Sequence, residues 1–161
     1  ELTDRLLEQI APFSPRFRFA STVVGFHQQP DGRFQLALND GASLGASVVV
    51  VATGLGTFVP GAGQPLLEAG PAPAWPLERS GDAFVVDPER LETSQPAVFA
   101  IGDACHYPGK LRLILSGFHE VALMTQAVRR ICFPGGRTTL EYTTSSSRLK
   151  KRIEGVGSNK E

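Results

Sequence analysis

The chain is short of cysteine, of net charge and of long apolar runs, and each shortage excludes a class of function. Its two cysteines, Cys105 and Cys132, lie far apart and form no CxxC pair, which excludes a thiol–disulfide active site. They read as free thiols in a cytoplasmic setting. His27, His106 and His119 fall at no metal-ligand spacing, so no metal is expected. Sixteen basic residues balance sixteen acidic ones, which gives no reason to invoke nucleic acid or a membrane surface. No apolar stretch approaches the ~20 residues that a membrane helix needs. The opening Glu1-Leu2-Thr3-Asp4-Arg5 is acidic and amphipathic, unlike a signal peptide, and the missing initiator Met suggests a processed or excised fragment. Nor does a GxGxxG follow any strand. Gly54-Leu55-Gly56 and Gly61-Ala62-Gly63 begin that pattern, but Val59 and Leu66 stand in place of its third glycine. Such glycines cradle a pyrophosphate at a helix N-terminus, and that cradle is missing here.

What is present reads as an ordinary globular domain, with 42% hydrophobic residues over 161 positions. Leu2, Leu6, Leu7 and Ile10 keep helical spacing up to Pro12. Phe17 to Phe26 alternates as a strand, Pro30-Asp31-Gly32 is a turn, and Phe34 to Leu38 returns as the second arm of a hairpin. A second turn, Asn39-Asp40-Gly41, leads toward Val48-Val49-Val50-Val51-Ala52-Thr53-Gly54, a continuous run suited to a parallel strand buried on both faces. Gly54 either lets the backbone pass close to a ligand or simply turns the strand. Residues 61 to 76 are rich in Gly, Ala and Pro and read as a linker or irregular loop, with Trp75 anchoring it to the core. Phe84 to Asp87 is a short strand, followed by a turn at Pro88-Glu89-Arg90.

The stretch Val98 to Gly117 carries the functional signal. A buried strand, Val98 to Ile101, stops at Gly102-Asp103; an irregular loop follows, and a helix begins near Gly117 and runs to Phe133. Phe118, Val121, Ala122, Thr125, Val128, Ile131 and Cys132 keep its spacing, Arg129 and Arg130 suit its C-terminal dipole, and Pro134-Gly135-Gly136 stops it. In open α/β sheets, ligands bind at the carboxyl ends of the strands, where a helix N-terminus offers unpaired N–H groups. Asp103 would accept a ligand hydroxyl there; the alternative is that it caps a turn.

The wider stretch resembles the second FAD-binding segment of the thioredoxin-reductase-like flavoproteins, above all the ferredoxin–NADP reductase branch. The resemblance rests on Glu92-Thr93-Ser94-Gln95-Pro96, then Phe99-Ala100-Ile101-Gly102-Asp103, Tyr107-Pro108-Gly109-Lys110 and Ser116-Gly117-Phe118-His119-Glu120. Earlier in the chain, Ala52-Thr53-Gly54 and the run on to Pro60 are similar to the close of that family's first FAD segment. The resemblance implies an α/β fold, a partial Rossmann-like FAD-binding domain with a small β-meander. It implies that Thr53 and Gly54 flank the cofactor, that Gly102 and Asp103 hold the flavin ribityl chain, and that Phe118 lies at the site. The helix starting near Gly117 would stabilise the reduced ring. Tyr142 and Thr143 would cover one face of the ring, although the aromatic position is commonly His in that branch, and Tyr does not titrate near neutral pH as His does.

The resemblance covers residues 2–147 as two segments, 2–60 and 75–147, joined by a linker at 61–74. A basic tail, 148–161, reads as solvated or disordered. In the family, the glycine fingerprint lies upstream of the first helix here, and an NADPH domain stands between the two segments. The few residues bridging that point are too short for a βαβ unit of ~30 residues. Losing a central first strand would uncover apolar faces at roughly 1.5–3 kcal/mol per large side chain, which a rearranged sheet or a homodimer would offset.

Two functions follow as expectations. One is an FAD-dependent oxidoreductase moving electrons between NADPH and ferredoxin or a similar iron–sulfur carrier, with this chain alone incomplete. The other is a non-catalytic, truncated flavin-binding or interaction module. Thioredoxin reductase is set aside for want of a CxxC.

Overall fold

Apolar runs and turn residues lay out a chain of short strands closed by one long helix. The computed structural model describes residues 2–54, 57–59, 66–68 and 71–136. The chain divides into two units, one formed by Glu1–Ala20 with Thr139–Glu161 and the other by Ser21–Thr138.

In the first unit, helix α1 (Leu2–Ile10) runs on into a 3-10 turn, Ala11–Phe13, with Pro12 in its first turn. Phe17 and Phe19 stack with their ring centroids 5.8 Å apart. The strand expected from Phe17 does not start there. Ala20 takes a left-handed conformation, φ 52°, which interrupts an extended chain, and strand pairing begins only at Val23.

The second unit opens with an antiparallel meander of β1 (Val23–Gln28), β2 (Phe34–Leu38) and β3 (Ser43–Ala46). Both turns fall where the sequence puts them. The Asp31 carboxylate accepts from Arg33 N at 3.0 Å and the Asp40 carboxylate from Ala42 N at 2.9 Å, so each Asx side chain closes its own turn. Phe34 and Leu38 face the core, as a period of two requires.

Strand β4 (Val49–Val51) pairs in parallel with a later strand, Val98–Ala100, in the register Val49–Val98, Val50–Phe99 and Val51–Ala100. Its predicted burial on both faces holds for one face only. Val49 and Val51 are buried, whereas Val50 is 40% exposed, because no element among the described residues covers that side. After β4, β5 (Thr57–Val59) pairs antiparallel with β6 (Leu66–Glu68), which lies within the stretch expected to be an irregular linker. Three-residue arms are too short to show alternation in sequence. A 3-10 turn follows at Ala72–Ala74. Trp75 then packs edge-on against Phe26, with centroids 5.1 Å apart, and anchors this segment as expected.

Strands β7 (Arg79–Ser80) and β8 (Ala83–Val85) form a tight hairpin. The Asp87 carboxylate accepts from Glu89 N and Arg90 N and holds the predicted turn. The approach to β9 (Val98–Ala100) is pinned twice. Thr93 Oγ1 donates to Val98 O at 2.9 Å, and Glu92 Oε1 accepts from Ala97 N at 2.8 Å. All three β9 residues are fully buried. A 3-10 turn, Gly102–Ala104, leads to β10 (Cys105–His106), which adds in parallel to β8 and lies within the expected irregular loop.

Helix α2 (Ile114–Cys132) closes the unit. It begins three residues before the expected start near Gly117, since Ile114, Leu115 and Ser116 all tolerate helix and Gly117 is no start signal. Its inward face also differs from the predicted stripe. Glu120, Met124 and Ala127 are buried, with Leu123 and Val128 packed beside them, whereas Phe118, Val121, Ala122, Thr125 and Cys132 are exposed. The result is an α/β fold with a parallel strand pair, a long helix and a separate β-meander: a partial Rossmann-like domain.

Candidate functional site

The carboxyl ends of β4 and β9 and the first turns of α2 enclose a shallow cleft of about 300 Å³. It is lined by Gly54 from the end of β4, Ile101, Gly102 and Asp103 from the end of β9, and the helix residues Ile114, Gly117, Phe118 and Val121, with Ala52. The walls are mostly apolar, and one carboxylate stands among them.

Local conformation explains why the two strands end there. Gly54 and Gly102 both adopt left-handed backbone, φ 63° and 65°, which costs an L-residue roughly 1–2 kcal/mol and glycine little. Each therefore turns the chain sharply at a strand's end. Apart from the adjoining residues, no atom lies within 4 Å of where either Cβ would sit, so the conformation calls for the glycine rather than crowding. Gly117 brings α2 against the Gly102 turn, its ideal Cβ lying 4.0 Å from Gly102 Cα.

Asp103 is exposed and stands inside this turn, whose N-cap is Ile101. The carboxylate is therefore not at the cap position of its turn, and it lies exposed at the cleft. The first turn of α2 contains no acidic residue, and Leu113 supplies no side-chain cap. Its leading N–H groups have no partner within the helix, and they carry the positive end of the dipole toward the cleft.

Beneath the turn lies a group whose role the sequence reading missed. Glu120 is fully buried. Its Oε2 accepts from Gly102 N at 2.7 Å, and its Oε1 accepts from the Tyr107 hydroxyl at 2.9 Å and from Lys110 Nζ. The Cys105 thiol lies 3.6 Å from the same carboxylate. The turn Tyr107-Pro108-Gly109-Lys110 delivers the lysine, closed by Lys110 N donating to Tyr107 O at 3.1 Å with Gly109 at φ 81°. Proline followed by a positive-φ glycine suits a type II turn. Burial alone would raise the Glu120 pKa. The hydrogen bonds from Lys110, Gly102 and Tyr107, together with the lysine charge, outweigh burial and hold it below the ordinary carboxylate value of 4.5. Burial, and then the Glu120 charge, push the Cys105 thiol up to about 11. Burial and the bond to Glu120 push the Tyr107 phenol up to about 12. The signal for Glu120 was a charge sharing one helical face with Met124 and Ala127.

Of the expected site residues, the structure brings Gly54, Gly102, Asp103 and Phe118 to one cleft. Thr53 is exposed beside Gly54 and is not part of the lining. Tyr142 and Thr143 lie outside the described residues. Among the described residues there is no cluster of His, Cys, Asp or Glu able to hold a metal, and no helix long and apolar enough to cross a membrane.

No protein-family model matches the chain. Individual relatives do. The chain is 52% identical over 91 residues to a ferredoxin–NADP reductase of Mesorhizobium japonicum, which covers 56% of this chain and 26% of that protein. It is 48% identical over 87 residues to the ferredoxin–NADP reductase of Parvibaculum lavamentivorans and 47% identical over 87 residues to that of Nitrobacter hamburgensis, each match covering 54% of this chain and 25% of the relative. The chain thus spans about a quarter of the length of the curated relatives it matches. Over rather more than half of its own length, this chain is similar to the ferredoxin–NADP reductases.

Proposed function

We propose that the Ser21–Thr138 unit is the flavin-holding part of a ferredoxin–NADP reductase-like oxidoreductase. One observation carries this reading: the exposed Asp103 carboxylate in an apolar cleft, at the carboxyl ends of two parallel strands and beside a helix N-terminus. Those residues fit the ribityl-and-ring half of FAD. A carboxylate suits a chain of hydroxyl donors, the apolar walls suit a flat ring, and the volume suits part of the cofactor rather than all of it.

Asp103 would accept hydrogen bonds from the ribityl hydroxyls, with Gly102 turning the backbone so that the carboxylate is presented. Ile114, Phe118 and Val121 would exclude water from the ring. The first-turn N–H groups of α2 would stabilise negative charge accumulating on it. Thr53, next to Gly54 in the chain, completes the proposed set, together with Tyr142 and Thr143, which enter it from the family resemblance alone. Bound flavin would supply the exchange between hydride from NADPH and single electrons for ferredoxin or a similar iron–sulfur carrier. The unpaired cysteines support a reducing, cytoplasmic setting, and a homodimer is a further proposal.

A second reading, a non-catalytic flavin-binding or interaction module, draws support from the missing GxGxxG in this chain. Fluorescence titration with FAD tests the first step common to both flavin readings. Asp103→Ala should weaken binding ten- to a hundredfold, since hydrogen bonds to a charged group contribute roughly 1.5–3 kcal/mol. Equal affinity in the two proteins refutes the assignment of Asp103. NADPH-driven reduction of ferredoxin by the flavin-loaded chain then separates an enzyme from a module.

A further inference from the structure

We infer that Glu120 is a positioning residue, one that sets the Gly102–Asp103 turn so that Asp103 meets a polyol chain. This rests on the proposed flavin site and deepens it. Asp103 is exposed, and its turn begins with a left-handed glycine, which is conformationally permissive. The bonds within the turn, from Cys105 N and Cys105 Sγ, both reach Gly102 O and leave the Gly102 amide to be held from outside. The Glu120 carboxylate does so through Gly102 N, the amide immediately before Asp103, at 2.7 Å.

The carboxylate is itself well fixed. It sits on the buried face of a 19-residue helix. Lys110, whose side chain is only 6% exposed, pairs with it, and the Tyr107 hydroxyl donates to the same oxygen as the lysine. The lysine ammonium also lies 5.5 Å from the Tyr107 ring centroid. Both oxygens are thus committed, one toward the turn and the other toward the Tyr107–Lys110 loop. A buried ion pair is weak evidence for stability but can specify one arrangement. Here the arrangement specified is the backbone that carries the ligand carboxylate. Glu120 does not itself line the cleft, so it acts through Asp103.

The test uses the full chain and two probes, riboflavin, which has the ribityl hydroxyls, and lumiflavin, which lacks them. Lys110→Met/Glu120→Gln keeps an acceptor for Gly102 N without the ion pair, and Lys110→Met/Glu120→Leu removes the acceptor. The Gln variant should bind riboflavin within about threefold of wild type. The Leu variant should lose at least fivefold for riboflavin while lumiflavin affinity is unchanged, and its Gly102 amide should exchange at least tenfold faster. Adding Asp103→Ala to the Leu variant should cost little more, because two residues acting through one interaction are not additive. If the Leu variant does not fold, Glu120→Asp, which withdraws the carboxylate by one methylene, should show the same selective loss of riboflavin. Equal losses for both probes, or no loss for riboflavin, overturn the inference. Wild-type protein that binds no riboflavin, or an Asp103→Ala variant that binds it normally, overturns the flavin reading and the inference with it. A normal Asp103 effect with silent Glu120 variants overturns the inference alone.

Discussion

Replacing Lys110 with Met keeps most of the side-chain volume and removes one charge from a buried pair. Glu120, with 0% exposure, then has two ways to respond. It can stay ionised with Gly102 N and the Tyr107 hydroxyl still donating; breaking a buried pair in this way typically costs about 3–5 kcal/mol. It can instead take a proton, and holding a carboxyl of ordinary pKa 4.5 protonated at pH 7 costs about 3.4 kcal/mol at about 1.36 kcal/mol per unit. The cheaper route sets the loss, so Lys110→Met should lose about 3 kcal/mol at pH 7, a large fraction of the 5–15 kcal/mol typical of a domain. The proton route becomes easier in acid. At pH 5 the same arithmetic leaves about 0.7 kcal/mol. Urea denaturation of the two proteins at both pH values measures this difference. A loss that does not change with pH, or no loss at all, would refute the assignment of a buried, ionised Glu120.

Other consequences are independent of ligand. Because hydrogen bonds and Lys110 hold the Glu120 pKa below 4.5, its contribution to stability is complete above that pH and is lost as the pH falls through the folded-state value; acid unfolding should therefore begin below about pH 4.5 in wild type and be flatter in Lys110→Met/Glu120→Leu. Cys132 is exposed, whereas Cys105 is buried with its thiol pushed up to about 11, so iodoacetamide at pH 8 should label one thiol in the native chain and two in urea, counted by mass spectrometry. Ala97 takes φ 62°, and Ala97→Gly should stabilise the protein by about 0.5 kcal/mol, the relief of left-handed strain exceeding the added unfolded-state entropy; a lower melting temperature would contradict this.

The residues that end or turn the chain were the most legible in sequence. Asp31-Gly32 and Asp40-Gly41 announced the meander because Asx side chains and positive-φ glycines have few other uses. Val49–Val51 announced a strand of a parallel sheet and Val98–Ala100 a buried strand, because unbroken apolar runs favour burial. Gly102-Asp103 marked the cleft for the same reason, at the point where the second run stops. Interactions across the chain were harder to read. Lys110 and Glu120 are ten residues apart, and only the Tyr107–Lys110 turn and the helix bring them together. That pair, with Gly102, fixes which side of α2 faces inward, so the apolar spacing of Phe118, Val121 and Thr125 pointed to the wrong face. β10 and the β5–β6 hairpin escaped notice because two or three residues cannot display a period. Val50 shows the limit from the other side: its run predicts burial on both faces, but burial depends on what packs there.

A flavin bound where β4 and β9 end would be located by amide chemical-shift mapping during a riboflavin titration. Saturable shifts should concentrate at Gly54, Gly102, Asp103, Gly117 and Phe118, and Asp103→Ala should move the titration to ten- to a hundredfold higher riboflavin. Absence of shifts at saturating riboflavin, or shifts confined to the β1–β3 meander, would contradict binding there.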